Sequence, residues 1–150
     1  MRVLFTKIAD ARHRVQVLRE DGFSETVELE TRSFLLHDLA HYAVEAEARL
    51  ERGFYGLLAA GVSLERLNDR DQEPVDEQLM LAERLAAPMQ SVFRQRLSRE
   101  RYLQQAQGLG VDFVCEAFVD AVLERLRHLT GHWKATPYRA PMQLDWPPDS

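Results

Sequence analysis

Apolar positions along this chain follow first a two-residue and then a three-to-four-residue period. From Arg2 to Ile8 and from His13 to Arg19, short runs rich in Val, Leu, Phe and Thr are joined by Ala9-Asp10-Ala11-Arg12. After Asp21-Gly22, a pair that favours tight hairpin turns, Phe23, Val27 and Leu29 share one face of a third run that ends at Glu30. The pattern predicts a three-stranded antiparallel meander. Its alternates Ser24, Thr26 and Glu28 face water, and the opposite face needs a cover.

From Ser33 the period becomes helical. Leu35, Leu39, Tyr42, Ala43, Ala46 and Leu50 gather on one side, with Leu36, Ala40 and Val44 at its flank, while His37, Asp38, His41, Glu45, Arg49 and Arg52 fall opposite. Ser33 is the expected N-cap and Gly53 the expected stop. Phe54 to Gly61 reads as a short buried helix or turn, Ser63 to Asn68 as one more helical turn, and Asp69 to Pro74 as a mobile polar loop. A helix follows from Val75 through Leu79, Leu81, Ala82, Leu85 and Ala86, with a break or kink at Pro88 before Met89 to Leu97. Ser98 either caps the next turn or lies within a helix. Val111 to Leu129 is a second strong helix, apolar at Val111, Val114, Cys115, Phe118, Val122 and Leu126 and acidic at Asp112, Glu116, Asp120 and Glu124. Beyond Gly131 the prolines predict extended chain, and Met142, Leu144 and Trp146 alternate as an edge strand that pairs with the N-terminal sheet. The fold class is therefore α+β: a small antiparallel sheet, three N-terminal strands plus a C-terminal strand, covered by about four or five helices. It forms one domain over 1–150, with strands in 2–30, a helical region in 33–129 and an extended tail with an edge strand in 131–150.

Composition narrows the class. Of 150 residues, 45% are hydrophobic and 29% charged, and no apolar run approaches the roughly 18 residues needed to cross a membrane, so no membrane partner is expected. The N-terminal residues lack the apolar core of a secretory signal, and Cys115 is the one cysteine, which together place the chain in the reducing cytoplasm. A net charge of -5 argues against nucleic acid as a partner.

The candidate chemistry is concentrated on the first helix. His37, His41 and Glu45 stand at i, i+4 and i+8, a slanting row on one face, and two imidazoles at that spacing can chelate one divalent metal such as zinc. A third ligand could come from His132, His128, Asp112 or Glu116, and His132 is favoured because it stands beside Trp133 in the irregular tail. Asp38 or Glu45 would then serve as acid/base or as the carboxylate that orients an imidazole. The bland reading is that these histidines are solvated and that Asp38 answers the helix dipole.

The segment Leu36-His37-Asp38-Leu39-x-His41-Tyr42-x-Val44-Glu45, followed by Gly53-Phe54-Tyr55-Gly56-Leu57 and preceded by the Arg-Val-Leu-Phe-Thr-Lys hairpin, resembles a family of small uncharacterised bacterial proteins. The resemblance extends to the Trp-containing tail, implies a bacterial, cytoplasmic origin and brings no activity with it. The helix also resembles the zinc-protease motif H-E-x-x-H, with Asp38 in place of the glutamate. It departs in the shorter carboxylate side chain and in having no glycine-turn-histidine sequel. The His37-Asp38 pair is similar to that of HD-type phosphohydrolases, whose other ligands have no counterpart here.

Elsewhere, Arg94, Arg96, Arg99 and Arg101 could grip phosphates or an acidic partner, although Glu100 interrupts them and a salt-bridged helix surface is the simpler reading. Cys115 is expected as inert filler on the buried side of its helix. Two functions stand side by side: a metal-binding and hydrolytic protein, or a non-catalytic interaction or regulatory module that acts as a homodimer.

Overall fold

The computed structural model describes residues 1–69, 71 and 76–148. Strands β1 (Arg2–Ala9), β2 (Arg12–Leu18) and β3 (Ser24–Glu30) form an antiparallel meander, and β4 (Pro141–Asp145) adds to the free side of β1. The sheet order is β3-β2-β1-β4. Val3 pairs with both Val17 and Leu144, and Phe5 with both Val15 and Met142. In a pleated strand these alternate residues share one face, so all six are buried together, while Gln16, Thr26 and Gln143 lie on the other. The chain ends close the sheet reciprocally: the Met1 ammonium donates to the Trp146 carbonyl at 3.0 Å, and the Trp146 amide donates to the Met1 carbonyl at 2.8 Å. The β2–β3 connection is longer than the expected two-residue turn. The Arg19 amide bonds the Phe23 carbonyl, with Gly22 at φ 88° and the Asp21 carboxylate accepting from the Phe23 amide. Phe23 stays exposed over the Arg19 guanidinium rather than joining Val27 and Leu29.

Six helices occur among the described residues: α1 (Thr31–Ala48), α2 (Phe54–Ala59), α3 (Leu64–Asn68), α4 (Glu77–Phe93), α5 (Arg99–Gln107) and α6 (Glu116–Ala135). Helix α1 is central, packed against α4, α6 and α2, and it shares one apolar core with the sheet. The Tyr42 hydroxyl donates to the Asp145 carbonyl at 2.7 Å and joins α1 to β4, and Arg125 pairs with Glu47 and joins α6 to α1. Lys7 reaches the end of α6, where its ammonium donates to the Trp133 and Thr136 carbonyls and lies over the Trp133 ring. A cation at this end also complements the helix dipole.

Several boundaries differ from expectation. Helix α1 begins at Thr31 with Glu30 as N-cap, and the Ser33 hydroxyl donates to the Glu30 carboxylate instead of capping the turn. It stops at Arg49, which takes the left-handed conformation (φ 56°) and closes the last turn with its amide. Gly53 therefore belongs to the next helix as the N-cap of α2. Pro88 does not interrupt α4: it lacks the N–H that would bond back to Arg84, yet the helix runs on to Phe93. Helix α6 is shifted toward the C-terminus and continues to Ala135, so the extended tail starts beyond Thr136. Cys115 is the N-cap of α6 and is exposed, not filler on a buried face. Ser98 caps α5, its hydroxyl accepting from the Arg101 amide. Most of the polar loop expected at Asp69 to Pro74 lies outside the described residues.

Candidate metal centre

The polar face of α1, which the bland reading would leave in water, is covered. Asp38 is 4% exposed and His41 and Glu45 are 0% exposed, so α1 is buried on its polar side as well as its apolar one. Two elements do the covering. Helix α4 lies across the middle of α1 and brings Glu83 to the histidines. Helix α2 places its first amides on Glu45.

The histidine rings stand 4.6 Å apart, centroid to centroid. His41 Nε2 is 3.0 Å from Glu83 Oε1, and His37 Nε2 is 3.4 Å from the same oxygen. On their other sides, His41 Nδ1 is 2.8 Å from Glu45 Oε2 and His37 Nδ1 is 3.3 Å from Asp38 Oδ1. Each imidazole thus rests one nitrogen on a carboxylate and turns the other toward a shared point at Glu83. Ligand atoms of His37, His41 and Glu83 all lie within 4.8 Å of one another, a spread that one ion can span.

Glu45 is the structural hinge of this arrangement. Its Oε2 accepts from the Phe54 amide at 2.8 Å and its Oε1 from the Tyr55 amide at 2.9 Å, which satisfies two unpaired donors at the start of α2. A Cβ on Gly53 would come 2.4 Å from Glu45 Cδ, so glycine is what lets the carboxylate reach these amides. At the other end of α2 the buried Arg19 guanidinium donates to the Leu58 carbonyl at 2.7 Å and to the Val62 carbonyl at 2.8 Å. A short helix is thereby held between an acid at its positive end and a base at its negative end. The Tyr55 hydroxyl donates to the Asp38 carbonyl at 2.7 Å and fastens α2 to α1 a second time.

The electrostatics follow from the packing. Burial by itself would lower the pKa of His41, but hydrogen bonds to Glu45 and Glu83 outweigh it and raise the value to about 10. His37 shows the same balance, with burial opposed by Asp38 and Glu83 and a net upward shift. Glu83 is held well below the usual carboxylate range by its bonds to His37 and His41. Burial, with the nearby Asp38 and Glu45 charges, pushes the Tyr55 phenol well up.

Of the candidate residues read from the sequence, His37, His41, Asp38 and Glu45 come together here. His132 does not: it lies exposed in the last turn of α6, near His128, with ring centroids 6.5 Å apart. Asp112 and Glu116 are also exposed and outside the cluster. The group that completes the cluster, Glu83, is not among the candidates the sequence offers, although it leaves a signal. Leu79, Ala82, Glu83 and Ala86 stand at i, i+3, i+4 and i+7, so a carboxylate interrupts the apolar stripe of α4. Compared with protein-family models, with curated proteins and with solved structures, the chain matches none.

Proposed function

We propose that the protein binds one divalent transition-metal ion, such as zinc, through His37 Nε2, His41 Nε2 and the Glu83 carboxylate. The observation that carries this reading is the convergence of both Nε2 atoms on one oxygen of Glu83 while both Nδ1 atoms rest on carboxylates. A carboxylate behind an imidazole fixes its tautomer and raises its basicity as a ligand. Asp38 and Glu45 supply that support from buried positions, so they act as positioning groups and not as acid or base. Two nitrogens and one oxygen suit zinc and its first-row neighbours better than magnesium or calcium, which take mostly oxygen ligands. The Glu83 side chain is 45% exposed, which leaves the outer side of the centre open to water. Such a metal acts as a Lewis acid and lowers the pKa of a bound water, so the reading extends to hydrolysis.

A second, non-catalytic reading has its own observation: both nitrogens of His41 are already engaged by carboxylates, so the same side chains can clamp α1 to α4 with no ion. The alternative of a module that works through an exposed apolar face has less support. The exposed large hydrophobic residues among those described, Phe23, Met80 and Tyr138, sit on separate parts of the chain.

Metal content of the untagged protein, followed by zinc titration after chelator treatment, separates the readings. The metal reading expects one zinc per chain and its loss in His37→Ala and Glu83→Ala, both at partly exposed positions where the fold should survive. Wild-type protein that retains no zinc after dialysis leaves the ionic clamp.

A further inference from the structure

Away from the histidines, the α4–α5 connection builds a second concave site. The chain turns through Gln95, which takes φ 61°, a left-handed conformation costly for a residue with a Cβ. The Arg96 and Leu97 amides both donate to the Ser91 carbonyl, at 2.8 and 3.2 Å, and fix the turn against the end of α4. Together with α6 this turn encloses a groove of about 530 Å³. Phe93, Leu97 and Leu123 are among its apolar lining residues, and Arg96, Arg99 and Arg127 among its basic ones.

These cations are available to a ligand. Arg96 has no ion pair among the described residues. Arg99 pairs with Asp120 and Arg127 with Glu124, but both carboxylates are well exposed, and ion pairs in water contribute little. A dianion that offers several oxygens can replace such partners at small cost. The planar guanidinium fork matches phosphate oxygens in pairs, and the apolar side suits an organic body attached to them. We propose that this groove binds a small phosphate monoester, with Arg96 and Arg99 gripping the phosphate and its organic body lying against Phe93 and Leu123. The site is independent of the histidine cluster and stands whether or not that cluster holds a metal.

The test is calorimetric titration of chelator-treated, full-length protein with phenyl phosphate, with inorganic phosphate and phenol run in parallel. Chelation prevents a bound metal from capturing the phosphate. Saturable binding of phenyl phosphate is expected, tighter than that of inorganic phosphate and weakened by added salt. Arg96→Ala and Arg99→Ala should each raise the Kd by about tenfold or more, as loss of one charge-assisted bond does, while Arg101→Ala, on the exposed side of α5, should not. The proposal is overturned if phenyl phosphate fails to saturate by about 10 mM. Unchanged affinity in Arg96→Ala and Arg99→Ala would also overturn it, as would equal affinity for inorganic phosphate, which would leave the apolar side without a role.

Discussion

Glu45 is the side chain on which the local architecture depends most, and replacing it should show this. Its two oxygens accept from three buried donors: the Phe54 amide, the Tyr55 amide and His41 Nδ1. In Glu45→Gln one oxygen becomes an amide group, which can only donate. Placed at Oε1 it confronts the Tyr55 N–H, and placed at Oε2 it confronts both the Phe54 N–H and His41. Either orientation leaves at least one buried backbone donor without an acceptor, at about 1–3 kcal/mol. Glu45→Ala removes all three acceptors together and strips a charge partner from His41, so about 3–5 kcal/mol is expected. Against a total stability of about 5–15 kcal/mol, the alanine variant would lie near the edge of folding. Urea unfolding followed by intrinsic tryptophan fluorescence, from Trp133 and from Trp146, whose ring lies 5.7 Å from that of Tyr55, reads the midpoint directly. The matched control is Glu47→Gln on the same helix. Glu47 and its partner Arg125 are 27% and 29% exposed, and that change should cost no more than about 1 kcal/mol. Equal midpoints for Glu45→Gln and Glu47→Gln, at an unchanged denaturant slope, would refute the assignment of Glu45 as the anchor of α2.

Three further outcomes are expected. Because the folded pKa of His41 is raised to about 10, its contribution to the metal-free protein is complete below pH 6.5 and is lost as pH climbs through 10. Zinc must displace that proton, so apparent zinc affinity should rise about tenfold per pH unit from pH 7 to 9, and a flat profile by competition titration would contradict the site. His13 behaves oppositely: burial lowers its pKa, and its Nε2 is enclosed without a partner, so its contribution is present above pH 6.5 and fades as the pH falls below that. His13→Phe, in a slot flanked by Phe5 and Trp133, should shrink the loss of urea midpoint between pH 7 and pH 5, and an unchanged loss would assign acid sensitivity to other groups. Arg49→Gly relieves a left-handed residue at the end of α1 and should raise stability by about 0.5–1 kcal/mol, seen as roughly 1–4 °C in Tm, whereas a lower Tm would show that the arginine side chain holds that end.

Strands β1 to β3 are legible because their apolar residues alternate over short runs between turn signals, and β4 because Met142, Leu144 and Trp146 keep the same period. The core of α1 is legible for the analogous reason. Its ends are not legible, because Ser33 and Gly53 are good capping residues that the structure uses otherwise: Ser33 bonds Glu30, and Gly53 makes room for Glu45. Helix α6 starts later than its apolar period suggests, because Val111 and Val114 continue that period although both precede the helix, and Val114 packs on the core from outside it.

The candidate centre divides along the same line. That His37 and His41 share a helical face is a consequence of four-residue spacing, and any helix over this segment would present them together. Which side of α1 would be buried, and by what, is not written in that spacing. Helix periodicity reports the side that carries apolar residues, whereas the polar side of α1 is buried because α2 and α4 bring it matching groups: two backbone amides for Glu45 and a carboxylate for the histidines. Glu83 is 42 residues from His41 along the chain, and their 3.0 Å approach exists only because α4 packs across α1. Local pattern thus determined the sheet, the helices and the histidine pair. Tertiary packing decided the third member of the cluster, the burial of Asp38, His41 and Glu45, and the displacement of His132 to a distant exposed turn, because pairing between elements far apart in sequence depends on where whole surfaces meet.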